Sequence, residues 1–159
     1  MSKLLLNYTT TIPVSKTLGE IQKLLAEAGA DHFSVRYGKG AVPVGVVFAM
    51  QTAQGALDYR LPVDAEKVLA MLECASNEWV RVKKKYSYGS ERRRRVPQSH
   101  VTPEHAAQVG WRVIKDWLEA QVALIQIGLV SLDEVMLPYQ LTADGMTIYE
   151  LAREKGLVK

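Results

Sequence analysis

Apolar and polar residues alternate along the first dozen positions: Leu4, Leu6, Tyr8, Thr10 and Ile12 fall on one side, Leu5, Asn7, Thr9 and Thr11 on the other. That period of two predicts a strand with one buried face, ended by Pro13. Thr17-Leu18-Gly19-Glu20 then has capping-box spacing, and Leu18, Ile21, Leu24, Leu25 and Ala28 recur at helical steps before Gly29, a suitable left-handed stop. Three strands are expected next. Phe33, Val35 and Tyr37 alternate with His32, Ser34 and Arg36; Val44, Val46, Phe48 and Met50 follow the Gly38-Lys39-Gly40 turn; Leu57, Tyr59 and Leu61 follow a turn at Gln54-Gly55. Connections this short make residues 31–62 an antiparallel meander, with Pro43 near a strand start where a missing amide donor does no harm.

Past Pro62, Asp64 is placed to cap a helix bearing Val68, Leu69, Met71, Leu72 and Ala75 on one side, running towards Trp79 or Val82. Thr102-Pro103-Glu104 gives a second, clearer start: an N-cap, a proline at the first helical position and an acid in the first turn. The long helix it opens, residues 102–128, spans about 40 Å. Ala106, Val109, Val113, Trp117, Ala120, Leu124 and Ile127 form its expected inner stripe, with Arg112–Asp116 and Lys115–Glu119 as four-apart ion pairs. Trp111, Val122 and Ile125 lie off that stripe, so the helix is either sandwiched in the fold or buried against a second subunit. Ser131–Glu134 starts a short turn, Pro138 breaks it, and 147–155 makes a short terminal helix. The predicted order is β-α-β-β-β-α, then a long C-terminal helix and a short one: an α+β fold, an antiparallel sheet with helices on one face.

At 159 residues and 48% hydrophobic, the chain suits a single α+β domain over 1–159, with 83–100 as a basic loop or arm within it. Its apolar stretches, near 44–50 and 122–130, fall short of the roughly 20 residues of a membrane span. Asn7 and the threonines after it cut off a signal-peptide core, so a cytoplasmic protein is expected, in the bacterial host cytoplasm if phage-encoded. The lone Cys74 sits on a helical pattern among apolar residues and is expected to be buried and inert.

Charge changes the picture more than composition does. The net charge is +3, yet residues 81–95 hold eight basic residues and one acid, a local +7. The other 144 positions hold twelve basic and sixteen acidic residues, a net of −4. Clustered cations gain counterion-release free energy on a phosphate chain that scattered ones do not. Lys83, Lys84, Lys85, Arg92, Arg93, Arg94 and Arg95 are therefore expected to hold phosphates, and Tyr86 and Tyr88 offer faces on which unpaired bases stack. Arg36 and Arg60, with Ser34 and His32, are expected on one sheet face and extend the candidate surface. The plainer alternatives are a solvated loop, an acidic protein partner for the arm, and an ordinary wet sheet face.

Signals for catalysis are sparse. His100 and His105, five apart, have no zinc-like companions; Gly38-Lys39-Gly40 lacks the rest of a phosphate-binding loop; Glu73, Glu78, Asp133 and Glu134 lie on helical patterns where carboxylates are usually solvated. No catalytic residue, metal or cofactor is assigned.

Thr10-Thr11-Ile12-Pro13, Lys16-Thr17, Glu20-Ile21-Gln22, Ala28-Gly29-Ala30, Arg60-Leu61-Pro62, the run from Trp111 through Gln121, Leu137-Pro138-Tyr139 and Thr147-Ile148-Tyr149-Glu150 resemble a group of small phage, prophage and bacterial-metagenome proteins. The resemblance covers nearly the whole chain and implies a viral or prophage setting, with no activity attached. In fold alone, a meander followed by a helix with basic surroundings is similar to the core of phage single-strand annealing proteins, with no motif matched residue by residue. The expectation is a non-enzymatic phage-type nucleic-acid-binding protein, favouring single strands and indifferent to sequence. The alternatives are a homo-oligomeric interaction module, or inhibitor of a host factor, joined through the 102–128 helix, and a metal-dependent nuclease.

Overall fold

Pro13 opens a helix instead of closing a strand. The computed structural model describes residues 4–77, 80–82 and 92–158, and in it α1 spans Val14–Glu27. The expected opening strand is not formed. Tyr8 N–H donates to Leu5 O at 3.3 Å and Thr10 N–H to Asn7 O at 2.9 Å, closing successive turns. Asn7 adopts a φ of 62°, in the left-handed region that breaks an extended run. Leu4, Leu5 and Tyr8 pack on a cluster of Leu72, Ala75, Val96 and Ala106, so burial is reached from consecutive turns without a sheet partner. Thr17 lies inside α1, fully buried, with its hydroxyl donating to Pro13 O. Its capping-box spacing to Glu20 is the i, i+3 spacing that any helix interior offers. The helix stop is as expected: Gly29 takes a φ of 94°, which side chains with a Cβ rarely adopt.

The meander follows. β1 (Ala30–Tyr37), β2 (Pro43–Thr52) and β3 (Gly55–Pro62) pair antiparallel in that order. The register aligns Phe33 with Phe48 and Phe48 with Tyr59, and likewise Val35, Val46 and Leu61. Val46, Phe48, Tyr59 and Leu61 are all fully or almost fully buried. The Phe48 and Tyr59 rings stack with centroids 5.6 Å apart. At Gly45 the strands come so close that a Cβ would sit 2.9 Å from Leu61 O.

α2 (Ala65–Asn77) begins as its cap predicts, with Asp64 Oδ1 accepting the Lys67 N–H at 3.0 Å. That bond, from backbone first and then from the Lys67 side chain, holds the Asp64 carboxyl below its ordinary value. The buried side of α2 is Leu72, Ala75 and Ser76, while Met71 and Cys74 are exposed. The expectation that Cys74 is buried is thus corrected: an apolar neighbourhood in sequence does not fix the phase of a short helix.

β4 (Val80–Val82) pairs antiparallel with β5 (Arg92–Arg94). α3 (Pro103–Gln126) is 24 residues long, about 36 Å, and Thr102 Oγ1 accepts the His105 N–H at its start. No residue from His105 to Leu118 is exposed, and the most buried positions include Trp111, Leu118 and Val122, with Ile127 68% exposed. The stripe expected from Val113, Trp117 and Ile127 is out of phase: the buried positions Ala107, Trp111, Leu118 and Val122 recur at helical steps on another side.

α4 (Leu132–Met136) and α5 (Ile148–Glu154) each open with a complete capping box, Ser131 with Glu134 and Thr147 with Glu150. Between them Gln140 forms a bridge to Tyr59 and Leu141 N–H donates to Asp58 O at 2.7 Å, adding a short rung to the outer edge of β3. Trp117 meets Tyr139 edge-on, with ring centroids 5.4 Å apart.

The chain is α+β, with an antiparallel three-stranded sheet. It divides into two compact units, Met1–Thr17 with Asp64–Ile114, and Leu18–Val63 with Lys115–Lys159. Among the described residues no helix is long and apolar enough to cross a membrane.

Candidate nucleic-acid interface

A three-rung ladder that carries four arginines among its six residues is an unfavourable object by itself. β4 and β5 align Val80 with Arg94, Arg81 with Arg93 and Val82 with Arg92. Isolated two-stranded hairpins are marginal in water, and like charges directly opposite weaken a pair further. Arg81 across from Arg93 is such a pair. The hairpin is nevertheless anchored at its root. Directly beyond Arg95, which is exposed, Val96 is 1% exposed within the Leu72, Ala75 and Ala106 cluster, and its N–H donates to Ala75 O at 3.0 Å. Burying a valine is worth about 2 kcal/mol, enough to hold a ribbon that its own rungs would not.

The structure accordingly alters the expected 83–100 arm. Arg92, Arg93 and Arg94 belong to a strand paired with Val80–Val82, and Val96 returns to the core, with residues 97–99 exposed beyond it. Lys83, Lys84, Lys85, Tyr86 and Tyr88 lie outside the described residues, as do Glu78 and Trp79. The pairing of 80–82 with 92–94 is not legible in the sequence, where these residues read as the tail of a helix running towards Trp79 or Val82; α2 instead ends at Asn77 and Val80–Val82 form a strand.

Arg36 and Arg60 belong to the unit that holds the sheet. The register puts Arg60 across from Val47 and Val47 across from Ser34, with Arg36 two positions further along β1, so Ser34, Arg36 and Arg60 share one face as expected. Their situations differ. Arg36 is exposed. Arg60 is 15% exposed at its side chain, where its guanidinium pairs with the Glu150 carboxylate and donates to Gly145 O at 3.0 Å. Glu150 Oε2 also accepts the Thr147 N–H at 2.7 Å. That backbone donor first, then the Arg60 charge working against some desolvation, keeps the Glu150 carboxyl below its ordinary value. Arg60 is thus a brace between β3 and the start of α5, with donors engaged at Gly145 O and at the Glu150 carboxylate. Ninety positions separate the partners, and no local pattern announces such a pair.

The histidines meet in space without forming a metal set. His100 and His105 rings stack with centroids 4.4 Å apart, and His105 Nε2 lies 2.7 Å from Tyr8 O. Among the described residues, no three His, Cys, Asp or Glu side chains are grouped to hold a metal.

Comparison with family models, with curated proteins and with solved structures gave no match to this chain. The functional reading therefore rests on its own residues.

Proposed function

We propose that this protein binds nucleic acid through the phosphate backbone, without enzymatic action and without strong sequence preference, using the basic hairpin of residues 81–95. The observation that carries the proposal is the Arg81–Arg93 cross-strand pair within a segment of local charge +7. A fold that sets like charges opposite one another and anchors them by a buried valine gives up stability there, and such exceptions mark functional sites. A polyanion turns the repulsion into attraction, because each neutralised phosphate releases condensed counterions. Lys83, Lys84, Lys85, Arg92, Arg93, Arg94 and Arg95 supply the cations, and Tyr86 and Tyr88 supply stacking surfaces for any unpaired base they meet. Arg36 is available to a phosphate on the sheet face; Arg60 serves the fold. The bacterial cytoplasm and phage setting implied by the resemblance belong to the same proposal.

The experiment is fluorescence polarisation of the purified full chain with labelled oligonucleotides across a salt series. Binding should weaken with salt, with a slope in log K against log salt no steeper than about −7 if all eight cations of the segment contact phosphate. Replacing the seven basic residues of 83–95 by serine should abolish it. A protein that ignores oligonucleotides even in dilute buffer, while its hairpin captures acidic proteins, refutes the proposal.

A further inference from the structure

We infer that the outer edge of β1 is where two copies of this chain meet, pairing antiparallel about a two-fold axis at Ser34 so that their two meanders form one continuous sheet. The two margins of the meander are treated differently. β3 carries the Gln140 and Leu141 rung on its outer side, whereas among the described residues no strand pairs with the outer side of β1. Such a margin presents a row of backbone donors and acceptors whose complement is another strand. Its side chains are also incompletely covered. Phe33 and Val35 are only half-buried, although they stand in register with the fully buried Phe48 and Val46.

A second copy is the occupant because the strand is complementary to itself. The ladder with β2 is regular from His32 to Arg36, with irregular steps at either end, and Ser34 is the middle of that run. Opposite residues of an antiparallel pair share a face. A two-fold at Ser34 therefore sets Phe33 against the second copy's Val35, an aromatic against a β-branched side chain, and does so twice. Charge selects the same direction. The strand begins with exposed Asp31 and closes with exposed Arg36, and exposed Lys39 lies in the turn beyond. Antiparallel pairing brings each acidic end to the other copy's basic end, where parallel pairing would oppose like charges. The ends fit as well. A cleft of about 150 Å³ opens between α1 and β1, lined by Gln22, Leu25, Ala26, Asp31 and Phe33 among others, a volume that admits one six-membered ring. The same register puts the second copy's Tyr37, 61% exposed in the single chain, opposite Asp31 and diagonal to Phe33, beside that cleft.

Sedimentation equilibrium of the full chain across a concentration series should show a monomer–dimer equilibrium, and Tyr37→Ala should raise its dissociation constant at least about tenfold. Cross-linking then fixes the register. In a Cys74→Ser background, Ser34→Cys sets two thiols across the axis at a Cα separation of about 5 Å, within disulfide range. Oxidised glutathione should link that variant into a dimer and should leave Gln54→Cys, in the exposed β2–β3 turn, unlinked. Charge gives a check that does not depend on the half-buried Ser34: Asp31→Arg and Arg36→Asp should each weaken the dimer alone, and the two together should recover it. A native chain that stays monomeric at every concentration overturns the inference. So does a dimer indifferent to Tyr37→Ala and to both charge changes, or one whose Ser34→Cys form links no faster than Gln54→Cys, since the copies would then meet elsewhere.

Discussion

Replacing Arg60 by methionine separates a brace from a phosphate contact. The Arg60 side chain is 15% exposed and the Glu150 side chain 50% exposed, so the two interactions of the guanidinium carry unequal weight. The bond to Gly145 O, charge-assisted and 3.0 Å long, contributes about 1.5 kcal/mol. The ion pair to a half-exposed carboxylate is screened and contributes about 0.5 kcal/mol. Arg60→Met should therefore cost about 2 kcal/mol, a fall in Tm of about 4–8 °C for a chain of this size. The pH dependence gives a second handle. Glu150 has a folded-state pKa below its unfolded value, so its contribution is full above the unfolded value and is lost as pH falls through the folded one. The ion-pair share of the deficit should accordingly disappear in acid while the Gly145 share persists. Thermal melts of both proteins at neutral and acidic pH measure this, and oligonucleotide titrations across salt measure the other half. The salt slope of Arg60→Met should equal that of the native chain. An undiminished Tm together with a slope flattened by about 0.9 would mean that Arg60 meets a phosphate, and the bracing argument would be wrong.

Three further outcomes are expected. Gly45→Ala drives a Cβ to 2.9 Å from Leu61 O, and the strands must part to admit it, so chemical denaturation should show a loss of about 1–3 kcal/mol. Tyr59→Phe removes a buried hydroxyl that has no hydrogen-bond partner among the described residues, and should leave neutral-pH stability unchanged or raise it by about 1 kcal/mol. Burial first, then the Asp133 charge, raises the Tyr59 pKa above 10.0; a raised acid is stabilised in its neutral form, so the native chain should lose stability as pH climbs past the unfolded phenol value and the phenylalanine variant should be spared that part of the loss. Val96→Ala should cost about 2 kcal/mol by denaturation and weaken oligonucleotide binding beyond what the charge of the hairpin predicts. Binding equal to that of the native chain would show that the anchor is irrelevant to it.

What the sequence revealed and what it hid follow from the range of the forces involved. The meander was legible because alternation at Phe33, Val35, Val46, Phe48, Tyr59 and Leu61 is set by which face each strand buries, and the turns between strands are short. The starts of α2 and α3 were legible because a cap acts within three residues, as Asp64 and Thr102 do. The opening strand misled: Leu4, Leu6 and Tyr8 satisfy a period of two, yet Leu4, Leu5 and Tyr8 are the residues that pack on the Leu72 and Val96 cluster, and only that tertiary contact decides between the two. The phase of α3 was hidden because apolar residues occur on more than one side of it, and the side carrying Trp111, Leu118 and Val122 is the buried one. At the site, the charge of residues 81–95 was plain to read. The pairing that sets Arg81 against Arg93, and the distant partner that occupies Arg60, depend on tertiary structure and leave no local trace.

The rung that Gln140 and Leu141 lay against β3 also bears on self-association. A bare strand margin is a template on which other molecules can polymerise, and chains guard such margins by shielding them. With Leu141 N–H on Asp58 O, the return of the C-terminal segment shields part of that margin. A chain cut short before residue 140 would lose the shield together with the Gly145 and Glu150 partners of Arg60, and should form fibrils more readily in concentrated solution.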